Sequence, residues 1–372
     1  MFQVLSACLV LFCILHPTHT QAQSWESIEP FMSPPMKFRN ICDKSRSVLH
    51  QTDGTPITTA EQWNKRRSEL LQEWHSMMGA WPQLITNPTV KVLNTLQFED
   101  HQRLHIKFRW TPNEWTDGYL LIPLGKGPFP AVLTTYYEPE TAIGQGKPLR
   151  DFALQLVRRG FVTLSIGTRE ASQAKQYSLY YPELNNAQVQ PLSMLAYAAA
   201  NAWYVLATRD DVDAKRIGIV GHSFGGKWAM FASCLFDRFA CAVWSDSGIL
   251  FDETRPSINY WEPWYLGYHP QPWRKRALIS TENPAYGLYP KLREQQRDLH
   301  ELHALMAPRP FLVSGGSEDP PERWGSLNQT RKVYQLLKAE NRVGMHNRPS
   351  HGPTAESNAV VYAFFEYYLK NN

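Results

Sequence analysis

Apolar and polar positions divide the chain into two textures. Trp63, Leu70, Leu71 and Trp74 recur at helical intervals behind Thr58 or Thr59 as a cap, so residues 59–79 are expected to form a helix. Residues 90–98 and 103–110 read as strands, followed by 119–123, where polar alternation suits an antiparallel edge. From Phe129 the pattern changes. Short apolar runs at 131–135, 162–166, 217–220, 240–244 and 311–313 alternate with helical spacing at 151–159, 190–208, 225–236, 327–337 and 355–369. A strand with no polar face needs cover on both sides, and the alternating helices supply it. The expected fold class is α/β: a mostly parallel, doubly wound sheet with helices on both faces. Residues 257–276, rich in Trp, Tyr and Pro, interrupt the alternation. They predict an aromatic-rich inserted loop, about 252–290, near the carboxyl ends of the strands, where such sheets bind ligands.

Residues 23–128 are thus expected to give the N-terminal helix and edge strands, and 129–372 the core, of one domain. Ahead of them, residues 4–15 form an apolar run of signal-peptide length, too short to span a bilayer, and Thr20-Gln21-Ala22 offers small residues for cleavage. The expectation is a leader over 1–22 and a secreted or periplasmic mature chain with no membrane attachment. Cys8 and Cys13 would leave with it, and Cys42, Cys234 and Cys241 allow at most one disulfide.

Composition adds little. A net charge of +4 with no basic run removes nucleic acid from the expected partners. With 13 Trp and 17 Tyr, flat apolar or sugar faces are favoured ligands, although most such rings fill cores.

The chemistry lies in Gly221-His222-Ser223-Phe224-Gly225, which follows an apolar run and opens a helix. This is the setting of a nucleophile elbow: the turn is too tight for bulk two residues either side of the serine, and the helix start aims free N–H groups at the reaction centre. A serine needs a base and an acid, expected later in the chain in the order acid, then histidine. His351, before the last helix, is the expected base, with His346 its competitor. Asp246 and Asp319 each follow a strand, and either is suited to orient the imidazole. Lys227, in the helix's first turn, opposes the macrodipole; its ammonium is expected at the pocket rim, facing a substrate hydroxyl or carboxylate, or in solvent. His300-Glu301-Leu302-His303 lacks the second histidine of a zinc helix, since Ala304 stands there, and reads as a surface pair. Asn328-Gln329-Thr330 is a glycosylation sequon only in a glycosylating host. The chemistry calls for no metal or organic cofactor.

Four stretches carry a resemblance: the elbow through Gly226-Lys227, the Trp63 to Arg66-Arg67 helix, residues 300–310 ending in Ala-Pro-Arg-Pro, and His346-Asn347-Arg348-Pro349-Ser350-His351. From about residue 60 to the end, the chain resembles bacterial glucuronoyl esterases and acetyl xylan esterase-like α/β-hydrolases. The resemblance implies the α/β-hydrolase fold, attack by Ser223 on a sugar ester, an acid at Asp246 or Asp319 with Asp246-Ser247-Gly248 favouring the former, and Lys227 on uronate hydroxyls. It departs at Phe224, where glucuronoyl esterases carry an arginine. The backbone N–H of Phe224 would remain as one oxyanion donor, with the second expected around Tyr136 and Tyr137. Trp261, Trp264 and Trp324 are expected to offer stacking faces for sugar rings. The reading is a serine esterase for acylated or esterified polysaccharide. A prolyl-oligopeptidase-like peptidase and a non-catalytic carbohydrate-binding protein on a hydrolase scaffold are the alternatives.

Overall fold

The computed structural model describes residues 24–371, so the expected leader lies outside the described residues. The strands are β1 (Val90–Gln97), β2 (His101–Arg109), β3 (Trp115–Pro123), β4 (Phe129–Tyr136), β5 (Val162–Gly167), β6 (Val212–His222), β7 (Cys241–Ser245), β8 (Phe311–Gly315) and β9 (Val343–Asn347). They form one nine-stranded sheet in the order β1-β2-β3-β5-β4-β6-β7-β8-β9. Neighbours from β1 to β5 pair antiparallel, and those from β5 to β9 pair parallel. The helices are α1 (Ala60–Met78), α2 (Phe152–Val157), α3 (Arg169–Gln173), α4 (Pro191–Ala207), α5 (Phe224–Leu235), α6 (Tyr289–Glu294), α7 (His300–Leu305), α8 (Trp324–Leu336) and α9 (Ala355–Lys370).

Two cores flank the sheet because successive strand residues face opposite sides. Ala131, Leu133, Ile217, Ile219, Ala242, Trp244, Phe311 and Val313 join one cluster with α1, α4, α5, α7 and α8. Val132, Val220, Val243 and Leu312 join the other with α2 and α9. An unbroken apolar run therefore feeds both layers. The helix α4 is buried from Pro191 to Trp203, as a helix apolar all round must be.

At the N-terminus, α1 starts on a capping box: Thr59 accepts the Gln62 amide at 3.2 Å, and Gln62 accepts the Thr59 amide at 3.1 Å. Polar contacts dock this helix on α7. Trp74 donates to Glu301 at 3.0 Å, Arg67 to the Leu305 carbonyl at 2.7 Å, and Arg297 bridges Glu73 and Glu301.

Several expectations change. Val343–Asn347 is a strand absent from the expected elements, and His346 sits within it. His300 and His303 are fully buried, not a surface pair: His300 Nε2 meets the Arg46 carbonyl at 2.6 Å, and His303 packs on Trp244. Cys234 and Cys241 are buried and free, and Cys42 is exposed and free. Asn328 is buried, donating to the carbonyls of Phe38 and Ile41 at 2.8 Å, so its amide is engaged in the fold. Between β7 and α6 the chain has neither helix nor strand. It is held instead by buried rings and by a buried pair, Arg274 Nη1 to Glu262 Oε1 at 2.7 Å, whose guanidinium also reaches the carbonyls of Asn283 and Pro284.

Candidate active site

Strand order reverses at β4, which lies between β5 and β6, and the carboxyl edge of that reversal is where an open α/β sheet leaves a crevice. Ser223 stands there, between the last residue of β6 and the first of α5. Its φ of 58° is a left-handed value that a side chain adopts only under constraint. The constraint comes from both sides: Ser223 N donates to the Ser245 carbonyl at 2.8 Å, and the Lys227 amide donates to the Ser223 carbonyl at 3.0 Å. A methyl group at Gly221 would overlap the Gly225 carbonyl, and one at Gly225 would overlap the Thr135 carbonyl. The glycines therefore let β4, β6 and α5 meet without side chains between them, and Thr135 Oγ1 fastens the junction by donating to the Gly225 carbonyl at 2.8 Å.

The chain brings one histidine and one acid to this serine. His351 Nε2 lies 2.8 Å from Ser223 Oγ, and His351 Nδ1 lies 2.7 Å from Asp246 Oδ2. Asp246 is buried, at φ 48°, and its Oδ1 accepts the amides of Gly316, Glu318 and Asp319 at 2.6, 3.1 and 2.9 Å. These three donors fix the carboxylate in place.

Asp319 is placed differently. Its two oxygens accept the amides of Gly248 and Ile249 at 2.8 and 2.7 Å. It braces the turn after Asp246. Burial, and then the nearby Asp246 charge, raise its carboxyl above the ordinary range, to about 6. His346 is absent from the serine: it packs edge-on against Phe31 at 5.7 Å, and burial draws its imidazole down to about 3.

Lys227 corrects both of its expected positions. It is neither at the rim nor in solvent but buried, with Nζ donating to the Ser247 carbonyl and lying 4.4 Å from the Tyr260 ring. Burial lowers its ammonium, against the opposing pull of Asp319, Glu318 and Asp246. The three tryptophans are corrected too: Trp261 and Trp324 are 0% exposed and Trp264 6%. Trp261 donates to the Ala277 carbonyl at 2.9 Å inside the irregular loop, and Trp264 packs against Tyr177 at 5.1 Å. Trp324 opens α8, where the amide of Asp43 bonds Gly325 and Gln329 bonds the Asp43 carbonyl, laying the N-terminal segment over it. None offers a free face to a sugar.

Phe224 opens α5 as Ser223 caps it, so its amide belongs to the unpaired first turn of a helix. Its ring stacks on Tyr137 at 4.1 Å with 9° between planes.

Residues not foreseen complete the support. Arg348 is buried and donates to the carbonyls of Ser314 and His351 at 2.7 Å and of Gly352 at 2.8 Å, gripping the loop that carries the base. His222 lies 4.7 Å from the His351 ring, with Nδ1 3.1 Å from Ser245 Oγ. Burial holds His222 well below its ordinary titration, so the ring adds no charge beside His351. In sequence, Arg348 is marked by the stretch His346 to His351 that carries the resemblance, but its grip on this loop is not. Among the described residues, no cluster suits a metal ion, and no helix is long and apolar enough to cross a membrane.

Comparison with known proteins agrees with this architecture. The Prolyl oligopeptidase family profile matches residues 198–371, the stretch that carries Ser223, Asp246 and His351. A 4-O-methyl-glucuronoyl methylesterase of Neurospora crassa is 23% identical over 269 residues, 66% of this chain and 62% of that protein. Carbohydrate esterase MZ0003, from an unknown prokaryotic organism, is 25% identical over 203 residues, 47% of this chain and 43% of that protein. The chain thus spans 62% and 43% of the length of these two relatives. Among solved structures, a glucuronoyl esterase from Solibacter usitatus superposes with a TM-score of 0.67 at 20% identity, covering 88% of this chain and 99% of that one. The chain has the α/β-hydrolase fold and resembles the carbohydrate esterases that share it.

Proposed function

We propose that this chain is a serine esterase that cleaves carboxylic esters on polysaccharide through an acyl-enzyme, and that it works outside the cytoplasm. One observation carries the reading: the unbroken line from Ser223 Oγ through His351 to the buried Asp246, with both hydrogen bonds at 2.7–2.8 Å. His351 Nε2 takes the serine proton as Oγ attacks the ester carbonyl, and Asp246 steadies the imidazolium that forms. The oxyanion is met by the amide of Phe224, at the positive end of α5, and by a backbone N–H at Tyr137. Collapse returns the proton from His351 to the departing alcohol. Water, deprotonated by the same histidine, then frees the acid and restores Ser223. The esterase names of the relatives support an ester, and the apolar run at residues 4–15 supports export.

A second reading, peptide hydrolysis, is favoured by the profile match at 198–371. Hydrolysis of p-nitrophenyl acetate, acetylated xylan, benzyl glucuronate and a prolyl peptide anilide, by the natural chain and by Ser223→Ala, separates the two. The expected result is release from an ester that vanishes in the variant. Release from the anilide alone would favour the peptidase, and no release from any ester would overturn the proposal.

A further inference from the structure

The irregular chain between β7 and α6 forms two arms, residues 269–277 and 282–286, with a groove of about 680 Å³ between them. Buried Arg274 ties the arms together. Its guanidinium reaches the Ala277 carbonyl on its own arm and the carbonyls of Asn283 and Pro284 on the other, while pairing with Glu262. A groove fixed in this way loses little freedom when a ligand enters.

The groove has an aromatic surface that the fold leaves uncovered. Tyr286 is 43% exposed, whereas Trp261, Trp264 and Trp324 are closed off. Its ring rests against His269, 4.5 Å away with 41° between planes. That imidazole is held at both nitrogens: Nδ1 donates to the Gly267 carbonyl at 3.0 Å, and Nε2 accepts the Arg274 amide at 3.2 Å. Half-buried Trp273 also lines the groove, with its indole N–H given to the His269 carbonyl at 3.1 Å. Polar groups stand beside these rings. The Lys275 ammonium has no hydrogen bond or ion pair among the described residues. Asn283 gives its N–H₂ to the Lys275 carbonyl at 2.8 Å, which leaves Oδ1 as an acceptor. An uncovered ring with donors and acceptors near it suits a sugar, whose C–H face lies on the ring while its hydroxyls meet the polar groups.

Packed rings join this groove to the site. Three steps, 6.1 Å from Trp273 to Trp264, 6.2 Å on to Tyr265 and 6.4 Å on to Phe224, bound its distance from the residue that follows the nucleophile. A small ester at Ser223 does not reach the groove, but a polymer can occupy both.

We propose that the groove is a distal saccharide subsite: Tyr286 carries one pyranose ring of the polysaccharide whose ester reaches Ser223, and Lys275 and Asn283 bond its hydroxyls. The inference rests on the proposed function, and it adds where the rest of the polymer is held.

The test has a binding arm that needs no turnover. Xylohexaose is titrated by calorimetry into Ser223→Ala, and into Ser223→Ala carrying Tyr286→Ala or Tyr286→Phe, with a circular-dichroism melt to establish that each is folded. Expected are saturable binding, about tenfold weaker binding with Tyr286→Ala, and a change within about twofold with Tyr286→Phe, because the ring and not the hydroxyl makes the contact. With Ser223 intact, Tyr286→Ala with Lys275→Ala should raise KM on acetylated xylan about tenfold at unchanged kcat and leave p-nitrophenyl acetate hydrolysis unaltered. If xylohexaose does not bind, binds Tyr286→Ala equally well, or is lost with Tyr286→Phe, the subsite is overturned. Equal losses on acetylated xylan and p-nitrophenyl acetate overturn it as well, since the loop then acts on Ser223 and not on the polymer. A chain that cleaves no ester yet binds xylohexaose through Tyr286 loses the proposed function alone, so the two failures are told apart.

Discussion

Asp246 and Asp319 hold each other's loops: the Asp319 amide donates to Asp246 Oδ1 at 2.9 Å, while the Asp319 carboxylate accepts the amides of Gly248 and Ile249, in the turn that carries Asp246. Only Asp246 also touches His351. The two acids should therefore respond differently to amide substitution. Asp246→Asn is expected to lower kcat by about 10⁴-fold, since the amide favours the wrong imidazole tautomer. Asp319→Asn turns an N–H₂ toward a backbone N–H and is expected to cost about 1–3 kcal/mol of stability with a much smaller loss of activity. Urea unfolding and ester kinetics on both variants decide it, and equal losses of kcat would contradict the division of roles.

How much of this could be read in the sequence depends on what leaves a residue-level trace. Gly221 and Gly225 do, because the overlaps with Gly225 and Thr135 exclude any side chain, and the helix after Ser223 is visible in its spacing. The strands that feed two cores are visible as apolar runs. The strand Val343–Asn347 is not, because Gly344 and the polar His346 break a short run that only its neighbour β8 defines. Burial of charge is invisible in the same way. Lys227 looks like a surface residue until Tyr260 and the Ser247 carbonyl enclose it, and Trp261, Trp264 and Trp324 look like ligand faces until an irregular loop and the N-terminal segment close over them. These enclosures are long-range events, and a local pattern carries no record of them. What separates Asp246 from Asp319 is likewise spatial: both follow strands, and only Asp246 lies within hydrogen-bond distance of His351.

Lys227 is placed to hold a turn rather than a substrate. Lys227→Met removes the hydrogen bond from its ammonium to the Ser247 carbonyl and leaves that carbonyl buried. The expected cost is about 1–3 kcal/mol of stability with KM for a carbohydrate ester unchanged. A raised KM at unchanged stability would show instead that the ammonium reaches substrate.

Arg348 fixes the height of the base. Its guanidinium serves Ser314, His351 and Gly352 at once, a fork that a lysine cannot reproduce. Arg348→Lys is expected to lower kcat on p-nitrophenyl acetate by about 10²-fold while KM stays put, because a shift of about 1 Å in the imidazole is enough for such a loss. Full activity in the lysine variant would show that charge alone, and not the fork, is needed.

His346 gives the fold an acid sensitivity of known sign. Burial, with the Arg348 charge added to it, lowers this imidazole to about 3 in the folded chain, against an ordinary value of about 6.5 in the unfolded one. Between these values the unfolded chain holds a proton that the folded chain refuses. The stability contributed by the neutral ring is therefore complete above about pH 6.5 and is lost as pH falls toward 3. His75, His222 and His303 are lowered by burial in the same direction, so the total loss belongs to all four. The share of His346 is isolated by difference. From pH 7 to pH 5 the natural chain should lose about 2 kcal/mol more than His346→Gln does, at about 1.4 kcal/mol for each unit below the unfolded value. Urea unfolding of both proteins at the two pH values measures it. Parallel losses would mean that the ring is protonated in the folded chain, with water or a partner reaching Nε2, the atom that has no hydrogen-bond partner in its place against Phe31.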